Sequence, residues 1–406
     1  MAGEILVIGG GIAGLTAAIE VAETGYDVIL VEKNPYLGGR VAQLNKYFPK
    51  LCPPFCGLEI FFKRIKSNPK VKFFTNAEVI KVEGEAGNFT VTVKLKPRYV
   101  NENCTACGEC AKVCPIERPN EFNLGLDKTK AIYLPNEIAM PFMYVINDRY
   151  CDKCGKCVEV CKYNAIDLNE TEKEMTLNVS AIVVATGWKP YDAKKLENLG
   201  YGKYKDVITN MELERMASIN GPTEGKITIS DGRPIESVAF VQCAGSRDEN
   251  HLPFCSAVCC LASMKEATYI REQYPDAKIY IFYIDIRAFG RYEDFYNKIK
   301  EDDKIQFIKG KVAKIEKDVE KLIVIAEDTI SGRKIEVPVD LVVLATGMQP
   351  SSADYKIPGI EYDEYGFVKE KEGIYPAGVA AKPLEVAGAN ESATAAALKA
   401  IQIVRR

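Results

Sequence analysis

Two runs of cysteine bound what this chain can fold into. They read Cys104-x2-Cys107-x2-Cys110-x3-Cys114, followed by Pro115, and Cys151-x2-Cys154-x2-Cys157-x3-Cys161. In a doubled run of this spacing, three thiolates of each serve one [4Fe–4S] cubane and the fourth serves the other. The spacing assigns Cys104, Cys107, Cys110 and Cys161 to one cluster, and Cys151, Cys154, Cys157 and Cys114 to the second. Zinc is the plainer alternative for cysteine pairs, and the repeated spacing sets it aside. Lys162 stands where the second run often has proline, and the gap between runs is long; neither departure touches a ligand.

The start of the chain is of another kind. Glu4-Ile-Leu-Val-Ile8 is an apolar run suited to a buried parallel strand, and Asp27-Val-Ile-Leu-Val-Glu32 is a second one. Between them lie Gly9-Gly-Gly11-Ile12-Ala13-Gly14 and a helical stretch, Leu15 to Glu23. This is the dinucleotide fingerprint in its context: Gly9 for the tight turn, Gly11 for approach to the pyrophosphate, Gly14 for helix–strand packing. The helix N-terminus faces the phosphates, and Glu32 is placed to accept from the ribose hydroxyls, with Lys33 beside it.

Asn34-Pro-Tyr-Leu-Gly-Gly39-Arg40 resembles the glycine doublet of flavoproteins with two dinucleotide-binding domains, in which the first fold holds FAD. Ala185-Thr186-Gly187 and Ala345-Thr-Gly347 resemble the motifs by which that family returns to its FAD domain, and Gly373-Ile-Tyr-Pro-Ala-Gly378 resembles its last strand. The family's ribityl-binding Asp is Val379 here, so Asn390 or backbone must replace that contact. Ser237 to Val241, Ser256 to Gln273 and Lys278 to Ile284 read as strand, helix and strand where thioredoxin-reductase-like enzymes bind NADPH. The glycine fingerprint is replaced there by Gln242-Cys243-Ala-Gly-Ser-Arg247, so the nicotinamide site is expected to be lost.

A third cysteine set, Cys243, Cys255, Cys259 and Cys260, flanks that lost loop. Cys255 and Cys259 are expected to share a helix face, with Cys243 at the strand end beside the helix N-terminus, where an anionic cluster is favoured. Buried core thiols are the competing reading. Cys52 and Cys56, in Leu51-Cys-Pro-Pro-Phe-Cys56, fit a redox pair, partial ligands of a cluster completed by another chain, or structural thiols. The only histidine, His251, reads as a loop residue between ligands.

Composition narrows the setting. With 406 residues the chain needs two or three domains, and 47% hydrophobic with 27% charged residues is ordinary for globular proteins. A net charge of −3 with both signs interleaved argues against nucleic acid or an anionic membrane as a direct partner. No apolar stretch approaches the ~20 residues of a membrane span, and the glycines within Ile5 to Ala22 argue against a signal peptide. Fourteen cysteines, most of them at cluster spacings, imply a reducing cytoplasm.

Taken together, Gly9 to Gly14, Asn101 to Pro115, Pro119-Asn-Glu-Phe122, Ala131-Ile-Tyr133, the second cysteine run, Gln242 to Asn250 with Cys255-x3-Cys259-Cys260, and Ile281 to Gly290 resemble the A subunit of heterodisulfide reductase. The resemblance implies an α/β fold of two Rossmann-like domains, one thioredoxin-reductase-like for FAD and one degenerate and NAD-type, with an inserted α+β two-cluster ferredoxin module. The expected divisions are 1–96 and 171–232 for the FAD domain and its return, 97–170 for the module, 233–340 for the degenerate domain and 341–406 for the last FAD segment. It implies an oxidoreductase subunit with FAD and three [4Fe–4S] clusters, the third on Cys243, Cys255, Cys259 and Cys260 near the flavin. It also implies flavin contacts from Gly9 to Gly14, Glu32, Lys33, Gly39, Arg40, Ala185, Thr186, Gly187, Gly347 and Gly378. Lys265 matches a lysine near the flavin in the family and tunes its potential there; its helical position, about 140° from Cys260, equally suits a solvent-facing lysine.

The methanogen subunits carry an N-terminal extension and a C-terminal ferredoxin domain, and the shorter form resembles the A subunit of the quinone-interacting membrane-bound oxidoreductase of sulfate reducers. On that resemblance the expected partners are a second flavoprotein or iron–sulfur subunit, adenylylsulfate reductase and a membrane quinone-reactive subunit. Membrane association would come only through those partners. Flavin-based electron bifurcation, as in the methanogen relatives, is the alternative, and an NAD(P)H-dependent reductase a further one.

Overall fold

The computed structural model describes residues 3–405. The chain forms two compact units, one running to Trp188 and resuming at Pro350, the other Lys189–Gln349.

The first unit is built on a five-stranded parallel sheet in the order Ile374–Pro376, Ala181–Val184, Ile5–Ile8, Val28–Val31, Val71–Phe74. The three central strands are apolar throughout because both faces are covered. Ile5, Val7, Val28, Leu30, Ala181 and Val183 face the helices Ile12–Glu23 and Val386–Val404. The alternate residues Leu6, Ile8, Ile29, Val31, Ile182 and Val184 face a core shared with the antiparallel sheet Lys173–Val179, Asn88–Leu95, Ala77–Glu85.

The iron–sulfur-type insertion leaves that antiparallel sheet at Leu95 and rejoins it at Lys173, and these two residues are directly paired. Between them lie two short helices, Glu109–Val113 and Lys156–Val160, and two small hairpins, Glu117–Pro119 with Lys128–Lys130 and Ile132–Tyr133 with Val145–Ile146.

The second unit repeats the α/β plan. Its parallel sheet runs Val207–Thr209, Leu341–Thr346, Ser237–Ala244, Lys278–Tyr283, Ile305–Lys309. The helices are Asn210–Ala217, Cys259–Gln273 and Tyr292–Lys300, beside an antiparallel sheet of Val312–Asp318, Lys321–Asp328 and Arg333–Val339. The helix Asn210–Ala217 starts on a reciprocal cap, in which Thr209 and Glu212 each bind the other's backbone N–H. Among the described residues, no helix is long and apolar enough to cross a membrane.

One helix starts later than its sequence suggests. The stretch expected from Ser256 begins at Cys259, because Ala257 is left-handed at φ 62° and cannot continue a helical turn. Cys255 therefore lies in the preceding loop, and the expected shared helix face with Cys259 does not form.

Asp340 pins one end of the second sheet. Its Oδ2 accepts the N–H groups of Glu236 at 3.0 Å and Ser237 at 2.9 Å, while Oδ1 lies 2.9 Å from Arg233 and 2.7 Å from Lys321. Burial would raise its pKa, but Lys321 and the N–H donors outweigh it and hold the carboxyl below its usual range. A depressed folded pKa gives stabilisation that is complete above the unfolded value near pH 4 and is lost as pH falls through the folded one. Asp340→Asn is expected to cost about 2 kcal/mol at neutral pH. Urea unfolding at a series of pH values should show that difference shrinking below about pH 4.

Candidate cofactor sites

The first-unit cradle is set by how closely glycines allow the backbone to pack. A Cβ on Gly14 would stand 1.7 Å from the Gly9 carbonyl oxygen, so only glycine lets the helix Ile12–Glu23 start against the strand end. Gly39, at φ 57°, would place a Cβ 2.8 Å from the Gly11 Cα, which draws the doublet loop against the first turn. A Cβ on Gly11 itself meets nothing nearer than 3.9 Å, leaving open backbone beside the uncapped N–H groups of the Ile12–Ala13 turn. Opposite, the Thr186 hydroxyl is buried with no hydrogen-bond partner. An open glycine, free helix N–H groups and an orphaned hydroxyl at one sheet end suit a dinucleotide phosphate.

Other candidate residues are disposed as follows. Glu32 is buried; its Oε2 accepts the Gly10 N–H at 2.6 Å and its Oε1 the Asn34 N–H at 2.7 Å. Burial raises its pKa and these donors only partly offset it. Each oxygen thus already holds the loop, and Lys33 beside it is exposed. Arg40 donates Nε to the Trp188 carbonyl at 3.2 Å and Nη1 to Gln43 at 2.9 Å. Ala185 donates its N–H to the Ile8 carbonyl at 2.8 Å, and Gly187 follows at φ 68°. Gly378 packs against Ala13 and donates its N–H to the Ser392 hydroxyl at 3.1 Å. Asn390 accepts the Thr16 hydroxyl at 3.0 Å. Gly347 belongs to the second unit, packed on Ser246 and Ser256.

In the inserted segment the two cysteine runs fold alike. Gly108 and Gly155, both left-handed, open the short helices that carry Cys110 and Cys157. Cys114, from the first run, lines one pocket with Cys151, Cys154 and Cys157, among Ile116, Ile132, Ile146 and Leu168. Cys104 and Cys107 face Cys110, and Cys161 borders the same core. Burial pushes the Cys110 thiol up to about 12, with Cys104 adding to it, and Cys157 up to about 11, with Cys151 adding to it. Thiols held neutral in this way lose their protons when a cationic centre binds. Among the described residues, no three His, Cys, Asp or Glu side chains close on a point as around a single ion.

The residue two beyond the first cysteine is the recurrent element. Ala106 at φ 55° and Lys153 at φ 56° are left-handed and turn their N–H groups onto the sulfurs of Cys104 at 3.5 Å and Cys151 at 3.4 Å. The second unit contains the same device. Ala257, at φ 62°, donates its N–H to the Cys255 sulfur at 3.3 Å. Left-handed alanine and lysine are uncommon, and no residue type in the sequence announces them.

Around Cys255 the rest of the third set gathers. Cys243 is left-handed at φ 56°, at a bulge in Ser237–Ala244. Cys259 and Cys260 open the helix Cys259–Gln273, Cys260 donating its S–H toward the Asp285 carbonyl at 3.6 Å. Burial pushes the Cys243 thiol up to about 11, Cys260 adding and Arg247 opposing. Burial also raises Cys259, with all three partner thiols adding. The four thiols are therefore close neighbours.

Lys265 is buried and lies 2.8 Å from Glu214 Oε1, so the solvent-facing alternative does not hold. Cys52 and Cys56 face each other at the start of the helix Pro54–Ser67, their contact raising the pKa of the exposed Cys56. His251 Nδ1 is 2.8 Å from the Tyr191 hydroxyl.

Sequence reasoning missed the residue that ties the insertion to the doublet loop. Arg98 donates Nε to the Tyr144 carbonyl at 3.0 Å, Nη1 to Pro35 at 2.8 Å and Nη2 to Met143 at 2.8 Å. Burial lowers its pKa to about 10. Leu37 donates its N–H to Met140 at 2.9 Å and Gln43 its Nε2 to Phe122 at 2.8 Å on the same seam. Phe122 stands in a motif the sequence does single out; nothing distinguishes Arg98 from any surface arginine.

Fold and cysteine sets together define a thioredoxin-reductase-like α/β protein with a ferredoxin-type insertion. A family model described as an NAD(P)-binding Rossmann-like domain matches residues 7–72, and one described as a 4Fe-4S binding domain matches residues 144–167. Thioredoxin reductase of T. acidophilum shares the fold, with TM-score 0.54 at 15% identity over 98% of this chain and 97% of that one. The chain is 44% identical over 404 residues to the iron-sulfur A subunit of the CoB–CoM heterodisulfide reductase of Methanocaldococcus jannaschii, covering 94% of this chain and 61% of that protein. It is 40% identical over 416 residues to the A subunit of the H(2):CoB-CoM heterodisulfide,ferredoxin reductase of Methanothermobacter thermautotrophicus, covering 98% and 63%. Over nearly its whole length the chain is similar to the A subunits of heterodisulfide reductases. It spans about three fifths of the length of these curated relatives, 61% and 63%.

Arg98→Lys keeps the charge but cannot fork to three carbonyls. It is expected to loosen the insertion by about 2 kcal/mol. Limited proteolysis within 97–170 should then run roughly thirtyfold faster, with the remaining fold unchanged by circular dichroism.

Proposed function

We propose that this chain is a FAD and iron–sulfur electron-transfer subunit of a heterodisulfide-reductase-like complex, with three [4Fe–4S] clusters. The observation that carries the reading is the left-handed residue turned onto a cysteine sulfur, found in both ferredoxin-type runs and again at Cys255. A local geometry shared by two cluster-binding loops and by the third set supports cluster binding in all three. Bound FAD handles electrons in pairs and iron–sulfur clusters handle them singly, so together they convert one currency of transfer to the other.

The chain's own groups bind and orient. The first-turn N–H groups after Gly11 and the Thr186 hydroxyl would hold the dinucleotide. Cys104, Cys107, Cys110 and Cys161 would hold one cluster; Cys151, Cys154, Cys157 and Cys114 the second; Cys243, Cys255, Cys259 and Cys260 the third. N–H donation to sulfur offsets thiolate charge, and the apolar lining of Ile116, Ile132, Ile146 and Leu168 limits water around the second site.

As to partners, we propose relay between a membrane quinone module and adenylylsulfate reductase. A flavin-based electron-bifurcating role is the second reading, favoured by relatives whose names carry both heterodisulfide and ferredoxin. NAD(P)H is disfavoured as donor, because Cys243, left-handed and buried, occupies the strand end where a glycine loop would bind pyrophosphate.

Protein purified without oxygen is expected to carry one FAD and about twelve irons per chain, four for each cubane. A content near eight would remove the third cluster. Cys114→Ala should lose about four irons and the spectroscopic signal of the cluster on Cys151, Cys154 and Cys157; loss of the other signal instead would overturn the ligand exchange between runs. NADPH should leave the flavin absorbance unbleached, and bleaching would restore the NAD(P)H-dependent reductase. Partners co-purified from native membranes and identified by mass decide between the two relay readings.

A further inference from the structure

Glu214, Lys265 and Glu266 stand in the interior of the second unit, exposed by 2%, 4% and 0%. Glu214 lies on Asn210–Ala217 and the others on Cys259–Gln273, which packs against it. Lys265 Nζ is 2.8 Å from Glu214 Oε1, and the Tyr269 hydroxyl donates to Glu214 Oε2 at 3.4 Å. Glu266 makes no ion pair of that kind among the described residues, although the Lys265 charge also acts on it. Neither of its carboxyl oxygens receives a hydrogen bond from a described N–H or O–H donor, and the group it meets is the Glu214 carboxyl. Two carboxylates in contact inside a protein repel each other, and a proton on Glu266 relieves that repulsion. With the lysine charge included, the group is then neutral, which suits its burial.

The pair also sits in line with the third cysteine set. Cys259, Ser263 and Glu266 follow one another at steps of four and three, on one face of the helix. The Ser263 hydroxyl is buried and without a hydrogen-bond partner, so the face is polar from Cys259 to the carboxyl pair. The Glu266 carboxyl contributes to raising the Cys259 thiol, which places the two within electrostatic reach.

Glu214 faces Glu266 from Asn210–Ala217, and Lys265 from its own helix, where Tyr269 binds Glu214. Asn210–Ala217 also carries the buried Glu212, held by the Thr209 N–H and the Tyr201 hydroxyl, and the buried Arg215. Ser237–Ala244 offers the neutral Gln242, ahead of Cys243, and Leu341–Thr346 has no charged side chain. The Arg271–Asp302 ion pair ties the far end of the helix to the chain beyond Tyr292–Lys300.

We propose that Glu266 and Glu214 form a proton-binding site coupled to the iron–sulfur centre on Cys243, Cys255, Cys259 and Cys260. When one electron reaches that centre, Glu266, beside the Glu214–Lys265 ion pair, takes up one proton from solvent; reoxidation releases both. The added negative charge at the cluster is matched by an added positive one, and the only bond made is an O–H bond on Glu266. The inference rests on the reading that this cysteine set binds a cluster. Glu266 and Glu214 act through charge and are positioning residues, not catalytic ones.

The test uses anaerobically purified full-length protein, wild type and Glu266→Gln, with iron and FAD contents measured first. Electron paramagnetic resonance follows the midpoint potential of the third centre from about pH 6 to about pH 9. In wild type the reduction equilibrium should weaken up to tenfold per pH unit, about 59 mV for one electron. In Glu266→Gln the slope should be flat, while the two ferredoxin-type clusters keep their potentials. A slope that is flat in wild type, or equal in both proteins, overturns the coupling. Redox-difference infrared spectroscopy of wild type needs no substitution: reduction should add a carboxylic-acid carbonyl band, and its absence overturns the coupling as well. A wild-type content four irons short overturns the cluster reading itself, and the coupling with it, and is seen in the iron count before any potential is measured.

Discussion

A buried thiol resists ionisation, and the cysteine sets of this chain are arranged around that resistance. Cys110, Cys157 and Cys243 are pushed up to about 12, 11 and 11 by burial, with neighbouring sulfurs adding to the effect. A site that must hold several thiolates in apolar surroundings therefore needs donors that neither bring a mobile charge nor depend on one side chain. Backbone N–H groups meet that need, and at Cys104, Cys151 and Cys255 a left-handed residue turns one onto the sulfur. Much of the local chain path follows: the glycines that open the two short helices, and the late start of Cys259–Gln273.

The second unit carries the same device near the end of its strand Ser237–Ala244. The sheet and the helix packed on it keep the geometry of a dinucleotide fold, since parallel strands of alternating burial need covering on both faces whatever binds at their ends. The strand-to-helix connection after Ser237–Ala244 carries the cysteines. There the chain carries a bulge at Cys243 and a loop holding Cys255 in place of a glycine turn. Fold and chemistry separate along that one connection.

The sequence made the architecture legible because apolar strands, glycine spacing and cysteine spacing are local patterns. The strands Ile5–Ile8 and Val28–Val31 and the helix after them fall where their composition puts them. What stayed hidden is non-local or conformational. Ala257 looks like a helix former and ends up as a helix breaker, because its backbone serves a sulfur. Arg98 matters through three carbonyls contributed by segments distant in sequence. Nothing in the sequence marks Glu266 as interior; packing against Asn210–Ala217 places it there. Lys265 was visible as a residue of interest while its partner Glu214 was not.

The insertion leaves and re-enters the first unit at Leu95 and Lys173, which are partners across one antiparallel pair. Partners in such a pair stand about 5 Å apart, a gap a short turn bridges. The host sheet therefore places no demand on the length or content of what hangs from it, and its register is indifferent to the cargo. A segment attached in this way can change length without altering the register of the sheet, but Phe122, Ile138 and Met140 pack on the core of the first unit and any replacement must match them. Docking of the present occupant runs through the Arg98 seam and the core contacts of Phe122, Ile138 and Met140, so docking and attachment are governed by different residues.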